Sequence, residues 1–376
     1  MKALIHSKSQ EVKLITMDPP SLNNSYTDEY HKNKSNYINN IFKFIFQKIN
    51  YYNLEWVLVK VLYGGLNPVD AKHLYGDKLP EVLIPSFRSF IEGSIAGIDF
   101  CGEIIDVDNN NSKYKKGDIV YGTMPPMLGS FAEIIKVPTN FINLKPKLLS
   151  AAESSALPLV ALTAFQAFED NNLKENMNVL IIGGSGGTGH VAVQVAKIKG
   201  AYVTAICSSK NKDFVKCLGA DNVIVYDSND LFTNLQNIVL KYGLFDIIFD
   251  SVTSLEEKDS KFNYYEKMTG KANNSNNLLS NNGKYIQLGG TPYQWLLAHI
   301  KRFIGCNLFP KNWELFWVRF PNCSELLGRI AEYCDKGKLK VIVSKIYKFD
   351  EESAREAFRD QVCRRTIGKI VIEISN

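Results

Sequence analysis

The stretch Met177–Gly200, MNVLIIGGSGGTGHVAVQVAKIKG, limits what this chain can fold into more than any other. An apolar run, Val179–Ile182, breaks into Gly183-Gly184-Ser185-Gly186-Gly187-Thr188-Gly189, and a second apolar segment, Val191–Ile198, runs on to Gly200. The pattern reads as strand, glycine turn and helix. Gly184, Gly186 and Gly189 fit G-x-G-x-x-G. The first glycine allows a tight turn, the second lets backbone approach a pyrophosphate, and the third lets helix and strand pack closely. Ser185, Gly187 and Thr188 complete the turn, and bound phosphates would rest on the unpaired N–H groups of the helix start. A flexible linker would hold glycines too, but it would lack apolar elements on both sides.

The 376 residues are enough for two domains with a large core. A hydrophobic share of 45% with 22% charged residues is that of an ordinary globular protein. The net charge of +5 is small and its basic residues are dispersed, which argues against a nucleic-acid surface. The N-terminal MKALIHSKSQEVKLITM alternates like a strand and lacks the apolar core of a signal peptide. The uncharged run Asn176–Ala196 approaches membrane-spanning length, but its glycines make it a poor spanning helix. Seven cysteines, scattered and never spaced C-x-x-C, point to a reducing, cytoplasmic setting and away from a disulfide frame or a structural zinc.

The first third reads as a β-rich domain. Lys2–Ile5 and Val12–Thr16 suit a paired ribbon, and Trp56–Leu62, Ile104–Val107, Asp118–Tyr121 and Ser130–Val137 suit strands. Ser21–Asn53, rich in Asn, Lys and Tyr, reads as an insertion. From Ser150 the period changes. Ser150 and Glu153 form a capping box, and Pro158 can open a helix over Leu159–Phe168. After the glycine stretch come strands at Tyr202–Ile206, Asn222–Val225, Phe245–Phe249 and Lys284–Leu288, alternating with helices at Lys212–Leu218 and Leu231–Tyr242. That is an α/β, doubly wound order. Glu256–Asn282, Asn- and Ser-rich, reads as a mobile surface excursion. A helix at Ser324–Lys336, a segment at Val341–Tyr347, a helix capped by Asp350 and a strand at Gly368–Ile374 look like a return to the first domain. The expected division is residues 1–147, 148–322 and 323–376, the last completing the first.

In order and spacing, several short motifs resemble the medium-chain dehydrogenase/reductase superfamily, in its zinc-free quinone-oxidoreductase-like branch and nearest to fungal members. They are Gly65-Leu66-Asn67-Pro68-Val69-Asp70-Ala71-Lys72, Gly97-Ile98-Asp99-Phe100-Cys101-Gly102, Lys116–Gly122, Gly129–Glu133, the glycine stretch, Leu218–Asp221, Phe249-Asp250-Ser251 and Gly368–Val371. The resemblance implies a GroES-like β-rich domain with a Rossmann domain, and an active site in the cleft between them. Zinc-dependent relatives place Cys near Asn67 and Gly-His-Glu at Gly97-Ile98-Asp99. Ile98 cannot ligate, so a catalytic zinc is not expected.

Without a metal, a nicotinamide cofactor must supply the chemistry. The resemblance implies reduction of a small lipophilic quinone or α,β-unsaturated carbonyl. Asn67 would bond the nicotinamide amide or a substrate carbonyl, or would instead cap the turn before Pro68. Lys72 would reach the cofactor ribose, or would be an exposed lysine on a short helix. Asp70 suits an anchor for that helix, while Tyr63 and Tyr75 are candidate proton donors. An NAD site keeps a carboxylate about 20 residues past the glycines. Here Ser208-Ser209-Lys210 stand there, which suits the 2′-phosphate of NADPH or is a plain polar loop. Asp250, Leu288 and Gly289, at strand ends, are expected near the nicotinamide half, with Asp250 also readable as a turn residue. His190 reads as packed at the helix start. Asn40–Tyr52 and Tyr293–Trp317, aromatic with interspersed cations, suit burial within the protein or at a homodimer contact, and less readily a membrane or lipid-droplet surface. The rival to an enzyme is a non-catalytic NADPH-binding or scaffold protein of the same fold.

Overall fold

A computed structural model describes residues 1–7, 11–22, 54–75, 93–108, 113–125, 128–253, 264–270, 277–290, 292–304, 310–320 and 322–375. The chain divides into two compact units, Met1–Leu162 with Phe320–Asn376, and Thr163–Arg319.

In the first unit, β1 (Lys2–His6) and β2 (Val12–Thr16) form an antiparallel ribbon. The main sheet is built on β3 (Trp56–Leu66), whose β-branched run is buried along most of its length. β3 pairs antiparallel with β4 (Asp99–Val107) and with β6 (Ile134–Pro138), and β4 pairs with β5 (Ile119–Thr123), which pairs with β7 (Ile142–Leu144). β4 starts five residues earlier than its apolar run suggests. The polar and small residues Asp99, Cys101 and Gly102 are held in it by neighbours on both sides, which no local propensity records. A short helix, α1 (Pro68–Tyr75), follows β3.

The helix α2 (Ala151–Ala156) opens with the predicted capping box. The Ser150 hydroxyl accepts from Glu153 N–H and the Glu153 carboxylate accepts from Ser150 N–H. It lies so close to β3 that a Cβ on Gly65 would sit 2.2 Å from the Ser155 carbonyl oxygen. This contact carries the first unit on to Leu162, inside α3 (Pro158–Asp170), rather than to residue 147.

The second unit is a parallel sheet. Its strands are β8 (Asn178–Ile182), β9 (Tyr202–Cys207), β10 (Asn222–Val225), β11 (Phe245–Asp250), β12 (Leu279–Gln287) and β13 (Trp313–Leu315), in the order β10-β9-β8-β11-β12-β13. Such strands are covered on both faces, so their centres read as short apolar runs, as Val179–Ile182 of β8 and Ile247–Phe249 of β11 do. Between them lie α4 (Gly189–Ile198), α5 (Lys212–Cys217), α6 (Leu231–Tyr242) and α7 (Tyr264–Met268). Order reverses between β8 and β11, and ligands of open α/β sheets bind beyond the strand ends at such a point.

The described parts of Glu256–Asn282 correct the expectation of a surface excursion. Tyr264, Met268, Leu278 and Leu279 are buried in the core of the second unit with Leu180 and Ile248. The Asn-rich spacing hides four apolar anchors. The helix α8 (Pro292–Ile304) buries Ala298, and Trp295 packs on Trp317 at 5.4 Å between ring centres, so this aromatic stretch is in part core. Most of Ser21–Asn53, including Asn40–Tyr52, lies outside the described residues.

The returning segment holds α9 (Ser324–Asp335), β14 (Val343–Lys348), α10 (Glu351–Cys363) and β15 (Lys369–Glu373). Asp350 caps α10 by accepting from Ser353 N–H. β15 pairs with β3 and β14 with β15, so the last strands join the first unit's sheet.

Candidate functional site

In the second unit, β8 ends at Ile182 and the chain turns at Gly183, whose φ of 86° suits glycine alone. Gly183 and Gly184 N–H both donate to Ile206 O, at 3.0 and 2.9 Å, and Gly186 N–H closes the turn on Gly183 O at 3.0 Å. The tight-turn role therefore falls to Gly183, one residue before the first glycine of the spacing. Gly189 has the packing role that its position predicts, since a Cβ there would lie 1.9 Å from Gly183 O. Gly186 differs. The nearest atom to a Cβ there is Gly183 O at 3.4 Å, an ordinary contact, so nothing in the protein itself requires glycine at this position. A ligand drawn against the backbone would.

Around this turn the bonding is incomplete. Thr188 precedes α4 without any side-chain cap, although the His190 N–H in the first turn donates to Gly186 O at 3.0 Å. Asn211 donates to Ser185 Oγ at 3.0 Å and ties the turn to the loop after β9. Its own Oδ1 is buried and bonds no described residue. Ser208 is buried, while Ser209 and Lys210 are exposed in the single 3₁₀ turn Ser209–Asn211. An uncapped helix start and an open Gly186 suit a dinucleotide phosphate, and the orphaned amide oxygen suits a donor such as a ribose hydroxyl. These residues fit the cofactor.

The other strand-end residues are committed internally. Asp250 is fully buried and its carboxylate accepts from Val252 N–H and Thr253 N–H, both at 2.9 Å, from the Thr253 hydroxyl, and from Tyr285 OH at 2.6 Å. Its side chain thus serves the turn after β11. Leu288 N–H donates to Asp250 O at 3.0 Å, and Gly289 O accepts from Gln287 Nε2. His190 is buried with its ring on Gly186 O at 2.9 Å.

In the first unit, Asn67 lies in a buried polar cluster. It is the residue before α1, and its backbone N–H donates to Asp70 Oδ2 at 2.8 Å, so Asp70 anchors the start of that helix. The Asn67 amide donates to Asp99 Oδ2 at 2.9 Å and to Gly65 O at 3.3 Å. It accepts from Lys369 Nζ at 2.5 Å, and Lys369 also donates to Leu66 O at 2.7 Å. Leu159 N–H bonds both Asp99 oxygens, at 3.2 and 3.1 Å. Asn67 and Asp99 are fully buried, Asp70 and Lys369 nearly so.

Enclosing two carboxylates and one ammonium is costly unless a proton balances them. Burial pushes the Asp99 carboxyl up to about 6, although Lys369, the Asn67 amide and Leu159 N–H hold it back. Burial also raises Asp70, which the Asp99 charge raises further, and lowers Lys369. Asp70 Oδ1 bonds no described residue, which suits its being the protonated member.

This cluster bears on zinc. The Asn67 amide is spent on Asp99 and Lys369, Ile98 is a hydrocarbon, and an ammonium lies among the carboxylates. Among the described residues no group of three or more His, Cys, Asp or Glu could hold a metal ion. These residues do not fit a catalytic zinc. Tyr63 OH donates to Glu373 at 2.8 Å, and this bond is the first cause that raises its pKa. The backbone of Lys72 lies in α1, but its side chain, like that of Tyr75, is outside the described part. Among the described residues no helix is long and apolar enough to cross a membrane.

Two residues escaped the sequence. Lys369 opens an apolar strand, and a lone lysine there reads as a solvated end. Asp227 follows β10, and its carboxylate accepts from Ser209 N–H at 3.0 Å and from Ser209 Oγ at 2.8 Å. Only the register that sets Val225 beside Cys207 brings it there.

Residues 53–147 match the family model described as alcohol dehydrogenase GroES-like domain, and residues 218–372 the one described as zinc-binding dehydrogenase. The NAD(P)H oxidoreductase RTN4IP1 of Danio rerio, a mitochondrial protein, is 30% identical over 347 residues, covering 85% of this chain and 83% of that protein. The trans-enoyl reductase pgmF of Aspergillus terreus is 30% identical over 344 residues, covering 85% and 86%. Among solved structures, the quinone oxidoreductase of Coxiella burnetii has the same fold, with a TM-score of 0.70 at 23% identity over 100% of this chain and 99% of that one.

Proposed function

Because this chain belongs to the medium-chain dehydrogenase/reductase superfamily of oxidoreductases, with relatives that use a nicotinamide cofactor, we propose that it reduces a quinone or α,β-unsaturated carbonyl with NADPH and without zinc. The observation that carries the reading is Gly186, which has room for a side chain and carries none, at a turn followed by an uncapped helix start. The names of its relatives support the substrate class: a trans-enoyl reductase and a 2-methylene-furan-3-one reductase of Solanum lycopersicum.

The chemistry that NADPH supplies when bound is hydride transfer to an electron-poor carbon or quinone oxygen. The residues that would hold it are Gly184–Gly189 at the pyrophosphate and Ser208, Ser209 and Lys210 at the adenosine ribose. Backbone beside Asp250, Leu288 and Gly289 would meet the nicotinamide half. Asn67 is a positioning residue, because its amide is already bonded and it fixes the start of the helix that carries Lys72. We assign Lys72 to the cofactor ribose. The proton that completes reduction comes from solvent, since the Tyr63 hydroxyl donates to Glu373.

The test is NADPH fluorescence on titrating the purified protein, then NADPH consumption with phenanthrenequinone and a panel of enones. Binding with turnover is expected, and binding without turnover across the panel would select the non-catalytic reading. No binding at all would sink the cofactor reading. Replacing Ser208 and Lys210 together with Ala is expected to weaken NADPH about tenfold, as for loss of a charged hydrogen bond, and to leave NADH nearly unchanged. Equal losses for both would contradict the 2′-phosphate assignment.

A further inference from the structure

The loop assigned to the adenosine ribose already holds an anion of the chain's own. Both Asp227 oxygens accept from Ser209 N–H, at 3.0 Å each, and Oδ2 also accepts from the Ser209 hydroxyl at 2.8 Å. Asp227 is exposed, and these bonds from the Ser209 backbone, then its side chain, hold its carboxyl below the usual range. It is therefore charged at neutral pH. Tyr226 N–H donates to Cys207 O at 3.0 Å, fixing the segment that carries Asp227 beside the end of β9. Lys210, next along the loop, is exposed and forms no ion pair with a described residue.

A 2′-phosphate and a ribose 2′-hydroxyl make opposite demands on this arrangement. The phosphate needs donors, and here one backbone N–H and one hydroxyl are occupied by a carboxylate whose charge repels it. The hydroxyl can donate to that carboxylate, the service an acidic residue after the second strand performs in NAD sites. In this chain the sequence lacks that residue after β9, and the sheet supplies one from the end of β10.

We propose that Asp227 sets the coenzyme preference: its carboxylate holds the Ser209 donors against the 2′-phosphate, so the protein accepts NADH and NADPH with little discrimination. Loss of this one charge turns it toward NADPH. The inference rests on the reading that the Ser208–Lys210 loop takes the adenosine ribose.

The experiment compares dissociation constants of NADPH and NADH for the full chain, Asp227→Asn and Asp227→Ala, by fluorescence titration. The expected wild-type constants lie within about tenfold of each other. Asp227→Asn should tighten NADPH by about tenfold, with NADH unchanged or weaker, and Asp227→Ala should follow it. Because the effect is one of exposed charge, the gain should shrink severalfold near 1 M salt. An unchanged NADPH-to-NADH ratio in both variants, with both coenzymes still bound, overturns the role of Asp227 and leaves the cofactor reading standing. A gain that survives high salt overturns the charge argument. Wild-type protein that binds neither coenzyme overturns both. Since Asp227 is exposed, thermal melts of the variants should match wild type, which separates a binding effect from misfolding.

Discussion

The glycine turn of the second unit and the Asn67 cluster of the first are both polar sites at strand ends, yet they treat their hydrogen bonds in opposite ways. At the turn, Thr188 caps nothing, Asn211 Oδ1 is unpartnered, and Gly186 leaves space. In the cluster, Asn67 uses its backbone N–H, both amide protons and its amide oxygen within the protein. A site that binds must keep donors and acceptors in reserve. A site that holds geometry spends them, because each unpaired buried group is costly. By that measure the turn keeps what the proposed cofactor site needs, and the bonding of Asn67 is that of a frame.

The contrast breaks most sharply at Lys369. Replacing it with Met leaves the Asn67 oxygen and the carboxylate of Asp99 buried without their cation, and should destabilise the fold by about 3–5 kcal/mol in chemical denaturation. A change below about 1 kcal/mol would mean that the cluster does not hold the frame. At the turn, Gly189→Ala forces a methyl against Gly183 O and should cost about 2 kcal/mol along with cofactor affinity. Gly186→Ala sharpens the comparison. It should leave the melting temperature alone and weaken NADPH about tenfold, whereas equal thermal losses in both variants would show that the open space is not reserved for a ligand.

A different kind of effect appears in a slope. Asp70 holds its proton in the folded protein well above the pH at which the unfolded chain releases it. Stability contributed by that proton is complete below about pH 4 and is lost as pH rises through the folded value. Asp99 adds a narrower loss between about pH 4 and its folded value of about 6. Asp70→Asn, which keeps an acceptor for Asn67 N–H, should remove about 1.4 kcal/mol per pH unit from the fall in stability above pH 4. Parallel wild-type and variant curves would show that Asp70 is ionised in place.

What the sequence made legible is local. The capping box at Ser150, the α10 cap at Asp350, the glycine turn and the individual strands and helices that alternate through residues 202–249 are each written within a few neighbouring residues. What it hid is set by pairing between distant strands. β4 begins at Asp99 because β3 and β5 hold it there, and Asp227 meets Ser209 through the register of β9 with β10. The Asn-rich spacing of residues 256–282 concealed Tyr264 and Met268, since a composition average outweighs single anchors. Asn67 itself was legible as a position but not as a bonding state, because its partner Lys369 lies 302 residues away.

That distance also has a meaning in time. β3 and Asn67 leave the ribosome long before β15 and Lys369 do, by some 300 residues of synthesis. At about 5–20 residues per second the delay is on the order of 15–60 s. Throughout it the β3 edge that receives β15 is unpaired and the Asp70 and Asp99 carboxyls await their ammonium. The second unit, Thr163–Arg319, needs nothing from the last strands to close its sheet. The part of the chain made first is therefore the part finished last, and it is the one that most needs shielding while the nascent chain is being made.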